Sequence, residues 1–296
     1  MARSESGVAT SPWAASRRRA EALRDSRPFA AEVLTLYLAL LDVWESTWPA
    51  PPVRAAPAWE APAPEALAGW AAEHVLPRVV EVSVAYGPPP LAKVLADVPA
   101  EDLRAAGPEL LTAWLAGAEL ASVERYLARS ALRGPLAGLA AADAAAVGVA
   151  CASDPAPRDG RRCPSCGGPP QLSFRTDAAD PLVSGRRRLQ CARCAQSWGF
   201  SSSTCPSCGE TVGAKRTVYA EHGERPQVGR GAGTAAATFP HMRVEGCDSC
   251  ARYLIDVDLG RDPRAVPEVD ELAALPLDLY AAERGISKIT PNLMGF

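Results

Sequence analysis

Eight of the nine cysteines in this chain fall into four Cys-x-x-Cys pairs between residues 161 and 252, and no other feature restricts its folding so strongly. The pairs are Cys163/Cys166, Cys191/Cys194, Cys205/Cys208 and Cys247/Cys250. Two cysteines three positions apart on a tight turn aim both sulfurs at one point. Two such turns facing each other supply the four thiolates of a closed tetrahedral metal site. The pairs themselves repeat. The first and third read Cys163-Pro-Ser-Cys166-Gly167 and Cys205-Pro-Ser-Cys208-Gly209. The second and fourth read Cys191-Ala-Arg-Cys194-Ala195 and Cys247-Asp-Ser-Cys250-Ala251, each followed by an aromatic residue, Trp198 or Tyr253. This A-B-A-B order is that of a duplicated module. The simplest wiring puts one ion on Cys163, Cys166, Cys191 and Cys194, and a second on Cys205, Cys208, Cys247 and Cys250. A crossed wiring, first pair with third and second with fourth, stays open at this point.

Other uses of paired cysteines fit less well. Secreted disulfides require an export signal, and none is found. A thioredoxin-like redox pair opens a helix, whereas Gly167-Gly168-Pro169-Pro170 follows the first pair and breaks one. Four-thiolate sites leave no open coordination position, which excludes catalysis at the metal. A purely architectural role for the ions is compatible with any further function. Iron and zinc both accept tetrahedral sulfur, so the motifs do not choose between them.

The chain has 296 residues, 48% of them hydrophobic, and a net charge of −3, which fits about two domains. No run of about 18 apolar residues exists, so no membrane insertion is expected. Charge is uneven: from Arg161 to Ala214 there are seven arginines against three acids. A divalent ion with four thiolates carries about −2, which such a surplus would offset.

The pattern predicts an α+β multidomain protein: an all-α N-terminal domain, two small tandem metal modules of rubredoxin-like or zinc-ribbon type, and a C-terminal helix. Residues 1–25 read as a flexible N-terminus. Ser16-Arg17-Arg18-Arg19 reads as a basic helix start rather than a twin-arginine signal, because Glu21, Arg24, Asp25 and Arg27 interrupt the apolar region that should follow. The helical domain covers 26–153. Phe29, Val33, Leu36, Tyr37, Leu40, Trp44 and Trp48 recur at helical spacing, Pro49 to Pro64 connects, and a second stretch from 65 to 86 breaks at Pro77. A short helix covers 91–97, another segment starts at Pro99, a run from Pro108 to Leu132 carries Leu111, Trp114, Leu115, Tyr126 and Leu127 on one face, and an alanine-rich helix reaches Cys151. Trp44, Trp48, Trp70 and Trp114 read as core, and Cys151 as a small buried residue rather than a ninth ligand. Residues 154–162 form a linker, 163–204 the first metal module, and 205–296 the second with its C-terminal helix. Strands are expected at 171–175, 187–190, 215–221, 237–244 and 253–259. Residues 222–234 read as a mobile loop, and a helix over 270–284 stops at Gly285.

These motifs together resemble the formate dehydrogenase accessory protein family, FdhE. The resemblance runs through Cys163-Pro-Ser-Cys-Gly-Gly-Pro169, Leu189-Gln-Cys-Ala-Arg-Cys-Ala-Gln-Ser-Trp198 and Cys205-Pro-Ser-Cys208. It continues through Cys247-Asp-Ser-Cys-Ala-Arg-Tyr-Leu254 and Asp270-Glu-Leu-Ala-Ala-Leu-Pro-Leu-Asp278, and ends at Glu283-Arg-Gly285. The helical half carries no diagnostic motif. Ile255 stands where the family often has Lys, Glu271 replaces the second of two Asp, and Arg188 occupies a position that is usually aromatic. The resemblance implies a cytoplasmic, non-enzymatic assembly factor that binds the molybdenum- or tungsten-containing catalytic subunit of formate dehydrogenase. It also implies two rubredoxin-like sites, with iron as the ion and zinc as the other candidate. Self-association stays open. The alternative from composition is a nucleic-acid-binding zinc-ribbon protein, motivated by Arg186-Arg187-Arg188, although a pI of 5.8 is a weak footprint for it. An electron-transfer protein is a third class.

Overall fold

The computed structural model describes residues 11–48, 61–151, 159–176, 185–221, 237–293 and 295. Residues 49–60 of the expected 49–64 connector, most of the 154–162 linker, the first ten residues and the 222–234 loop with His222 lie outside the described residues.

Helices α1 (Ala14–Ser26), α2 (Ala31–Thr47), α3 (Pro64–His74), α4 (Leu76–Tyr86), α5 (Pro89–Ala96), α6 (Ala100–Ala116), α7 (Ser122–Ala142) and α8 (Ala144–Ala150) make up the N-terminal half. Pro77 acts as expected. Its missing N–H and fixed φ suit the first turn of a helix, so α3 ends at His74 and α4 begins anew. Leu34, Leu36, Leu40 and Leu41 of α2 are fully buried, as are Leu111 and Leu115 of α6 and Leu132, Leu136 and Leu139 of α7. Trp44 and Trp114 are core residues; Trp48 and Trp70 are partly buried against them.

Three expectations need correction. The segment 1–25, read as flexible, holds most of α1 (Ala14–Ser26), with Ser16, Ala20 and Leu23 buried. Its arginines are paired across space: Arg17 with Asp42 and Glu45, and Arg19 with Asp262 and Asp270. The run from Pro108 to Leu132 is not continuous. Gly117, at φ +87°, ends α6 in the left-handed conformation that glycine adopts without strain, and α7 starts five residues later. The C-terminal helix is two, α9 (Pro267–Leu272) and α10 (Leu275–Glu283), because Pro276 opens a new first turn.

The second half contains β1 (Pro170–Arg175), β2 (Arg187–Cys191), β3 (Ser197–Gly199), β4 (Arg216–Ala220), β5 (Met242–Cys247), β6 (Arg252–Asp258) and β7 (Ser287–Lys288). They form one sheet rather than two separate hairpins, in the order β3-β2-β1-β6-β5-β4, with β7 alongside β6. Within each repeat the three strands are antiparallel, and β1 joins β6 in parallel through Ser173↔Asp256. The duplication inferred from the cysteines therefore survives as translation along one sheet. On one face Met242, Val244, Ile255 and Val257 pack with Leu277 and Ala281 of α10. Alternation sends Arg243, Glu245, Leu254 and Asp256 to the other face.

The two halves are bound together by the acids of α9. Glu268 accepts from Tyr37 Oη (2.8 Å) and Arg133 (2.6 Å). Asp270 receives the Arg19 guanidinium, the Val266 N–H and His241 Nε2, which lies 2.8 Å away. Glu271 pairs with Lys288 and accepts from Gln171 Nε2 at 3.2 Å.

Candidate metal centres

The A knuckles lie ahead of a strand, the B knuckles begin on a strand's last residue, and the turns of the first three close in the same way. The N–H of the residue after the second cysteine returns to the carbonyl of the first: Gly167 to Cys163 (2.8 Å), Ala195 to Cys191 (3.1 Å) and Gly209 to Cys205 (2.9 Å). The closing residue needs positive φ, and all four take it: Gly167 (69°), Ala195 (58°), Gly209 (84°) and Ala251 (52°). The A knuckles use glycine there, and the B knuckles bear the strain of alanine. Gly168 is required for a different reason. A Cβ on it would sit 2.8 Å from Cys191 Sγ and 3.2 Å from Cys166 Sγ.

Knuckle A of each repeat precedes its first strand, while knuckle B joins its second and third. Antiparallel pairing of those strands brings the two knuckles to one end of the sheet. Cys163, Cys166, Cys191 and Cys194 gather there, and Cys205, Cys208, Cys247 and Cys250 gather separately, each set with all sulfurs within 4.8 Å of one another. This is the tandem grouping, not the crossed one. Shortest approaches are 3.4 Å (Cys166–Cys191) and 3.6 Å (Cys163–Cys194) in the first set. In the second they are 3.7 Å (Cys208–Cys247) and 3.9 Å (Cys205–Cys250). Four sulfurs at about 2.3 Å from a tetrahedral ion are separated by about 3.8 Å, so both sets fit such an ion. All eight are free thiols, none closed into a disulfide. Backbone N–H groups of Gly168 and Arg193 donate to Cys166 Sγ (3.4 Å) and Cys191 Sγ (3.3 Å), which favours thiolate charge there.

The two centres differ in access. All four cysteines of the first are buried, and they belong to the same apolar cluster as the helical half, beside Trp198 and Leu189. Cys151 is buried next to them and contacts Cys166 without joining the set. In the second centre Cys208 is exposed and Cys250 half-buried. Protonation follows the surroundings. Bonds from Cys166, Cys191 and Cys194 push the Cys163 thiol far down. Burial opposes ionisation of Cys208, but the Glu210 N–H and the neighbouring sulfurs outweigh it and leave that thiol below its ordinary range. Burial pushes Cys250 up to about 12. An incoming ion must displace protons from the remaining thiols.

Arg186-Arg187-Arg188, the run that motivated a nucleic-acid reading, offers solvent Arg186 and part of Arg188 but not Arg187. Arg187 is buried, its Nη2 2.6 Å from Glu245, and Arg188 donates to Ser197 O at 2.8 Å. What sequence reasoning missed is the structural use of the acidic motif Asp270 to Asp278. Asp270, Glu271 and Asp278 are almost wholly buried, each with a cationic partner. The signal was there in their place between Val269, Leu272 and Leu277, at positions an apolar face would occupy.

Residues 204–294 match the FdhE C-terminal domain family, a segment that contains the whole second centre. Over that segment the chain is similar to the FdhE family. It is 28% identical over 134 residues to an FdhE homolog from Aquifex aeolicus, covering 45% of this chain and 41% of that protein. An FdhE homolog from Pseudomonas aeruginosa is 33% identical over 134 residues, covering 45% and 38%. The matched stretch thus spans about two fifths of the length of these curated relatives. The crystal structure of the FdhE protein from Pseudomonas aeruginosa superposes with a TM-score of 0.58 at 23% identity, over 95% of this chain and 94% of that one. That likeness establishes a shared fold for the helical half as well as the sheet. Among the described residues no helix is long and apolar enough to cross a membrane.

Proposed function

We propose that this chain is a cytoplasmic assembly factor, not an enzyme, that binds the catalytic subunit of formate dehydrogenase and is needed for its maturation. Its two four-cysteine centres are rubredoxin-like and hold iron, zinc being the other ion the same donor set accepts. The observation that carries the reading is the second centre. It lies inside the FdhE-matched segment, and its Cys208 reaches the surface where a partner could meet it. Bound there, an ion would supply structural cross-linking and, as iron, one-electron redox sensitivity. The residues supply the rest: Gly209 and Ala251 shape the turns, and the Glu210 N–H favours the charge on Cys208. Deleting the gene in its host should abolish formate dehydrogenase activity while its catalytic subunit is still synthesised. The wild-type gene should restore activity, and a Cys205→Ser/Cys208→Ser variant should not. Undiminished activity in the deletion strain overturns the proposal.

A further inference from the structure

Arg187 stands between the two centres and touches both approaches to the second. It opens β2, the strand that ends at Cys191 of the first centre. Its carbonyl accepts from Phe200 N at 3.1 Å, and its guanidinium lies 5.8 Å from the Phe200 ring. Its Nη1 donates to Ser201 O (3.1 Å) and Thr204 O (3.3 Å), which fixes the connector immediately before Cys205. Its Nη2 pairs with Glu245, two residues before Cys247 on β5. One fully enclosed side chain therefore fixes the lead-in to both knuckles of the second centre, from the strand that carries a ligand of the first. Arg161 adds a more exposed tie, from two residues before Cys163 to Ser207 O (2.8 Å) inside the third knuckle.

The surrounding charge points the same way. Among the described residues, Arg175, Arg187, Arg216 and Arg243 pair with two acids, Glu245 and Asp256, on this face of the sheet. Arg216 sits directly across from Cys247. Four cations against two acids leave a surplus of positive charge beside centres that each become about −2 when loaded with a divalent ion.

We propose that Arg187 is a positioning residue that couples the two centres, so that the exposed centre releases its ion more slowly while β2 is anchored by the buried one. This rests on the reading of both sets as metal centres. An Arg is needed because only a planar fork reaches two carbonyls and a carboxylate at once.

The test uses the full chain loaded with zinc and a chromophoric chelator in excess, and follows release over time. Wild type should lose one ion quickly from the exposed centre and one slowly. Arg187→Met should speed the fast phase roughly tenfold or more, as loss of an outer-shell partner does, and leave the slow phase unchanged. Arg187→Lys, which keeps the charge without the fork, should do most of the same, and Glu245→Gln gives a second route if Arg187→Met does not fold. Cys163→Ser should speed release from the second centre in the wild-type background and not in Arg187→Met, a non-additivity that a merely structural residue would not produce. A fast phase within about twofold of wild type in both Arg187→Met and Glu245→Gln, equal acceleration of both phases, or an additive effect of Cys163→Ser overturns the coupling. Wild-type protein that takes up no zinc would instead refute the metal-centre reading itself.

Discussion

Replacing Asp270 by alanine should cost this fold more than any loss of a single surface ion pair. Its side chain is buried and accepts the Arg19 fork, with Nε at 3.0 Å and Nη2 at 2.5 Å. It also meets His241 Nε2 at 2.8 Å and the Val266 N–H at 2.8 Å. Those partners come from α1, from the lead-in to β5 and from the start of α9, so one carboxylate closes the N-terminal helices onto the sheet. Removing it leaves Arg19 largely enclosed with Asp262 as its remaining acid, and breaking a buried pair in this way costs about 3–5 kcal/mol. In an Arg19→Met background the same change should cost only about 1–2 kcal/mol, for the lost contacts to His241 and Val266. The difference, about 2 kcal/mol or more, is the coupling between the two side chains. Urea unfolding at pH 7, with both centres loaded and followed by far-ultraviolet circular dichroism, reads this directly. A slope near 3 kcal/mol/M converts the single substitution into a midpoint shift of roughly 1–1.7 M. A loss below about 1 kcal/mol, or an equal loss in both backgrounds, would refute the claim that Asp270 joins the two halves.

Three further outcomes are expected. Cys163→Ser should lower bound metal by about one ion per chain, read by elemental analysis of protein purified with metal in excess, and loss of both ions would contradict the separate grouping. In metal-free protein Cys208 should react first with an alkylating reagent, because it is exposed and its thiol is shifted down; peptide mapping that finds Cys166 or Cys191 modified first would contradict this. Burial, with the nearby Glu271 charge and against Lys288, pushes the Asp278 carboxyl up to about 6. The folded state therefore keeps a proton that the unfolded chain has released. Stability from this group is complete below about pH 4 and declines by roughly 3 kcal/mol as pH rises through about 6. Unfolding free energies across that window, with metal content checked at each pH, should lose this slope in Asp278→Asn.

The metal centres were legible because their information is local. A Cys-x-x-Cys turn with Gly or Ala behind it specifies its own geometry, and strand pairing then brings turns together in chain order. Helices α2, α3 and α4 were legible from spacing and from Pro77. The joining of the two repeats was not. The parallel pairing of β1 with β6 rests on residues some eighty positions apart, and nothing in either strand announces the other. Charged residues misled most. Arg17 and Arg19 made α1 look solvated, and Arg187 looked like part of a surface strip, yet each has an acid partner far away in sequence. A charge read alone suggests water; read with its partner, it marks an interface.

The central claim is tested most directly by isolating the tagged chain from its own host under anaerobic conditions, with bound proteins identified by mass spectrometry and bound metal by elemental analysis. The account predicts a formate dehydrogenase catalytic subunit and close to two metal ions per chain, with the subunit lost when Cys205 and Cys208 are both changed to Ser. Recovery of two metal ions with no dehydrogenase, in cells that express it, would contradict the assembly role.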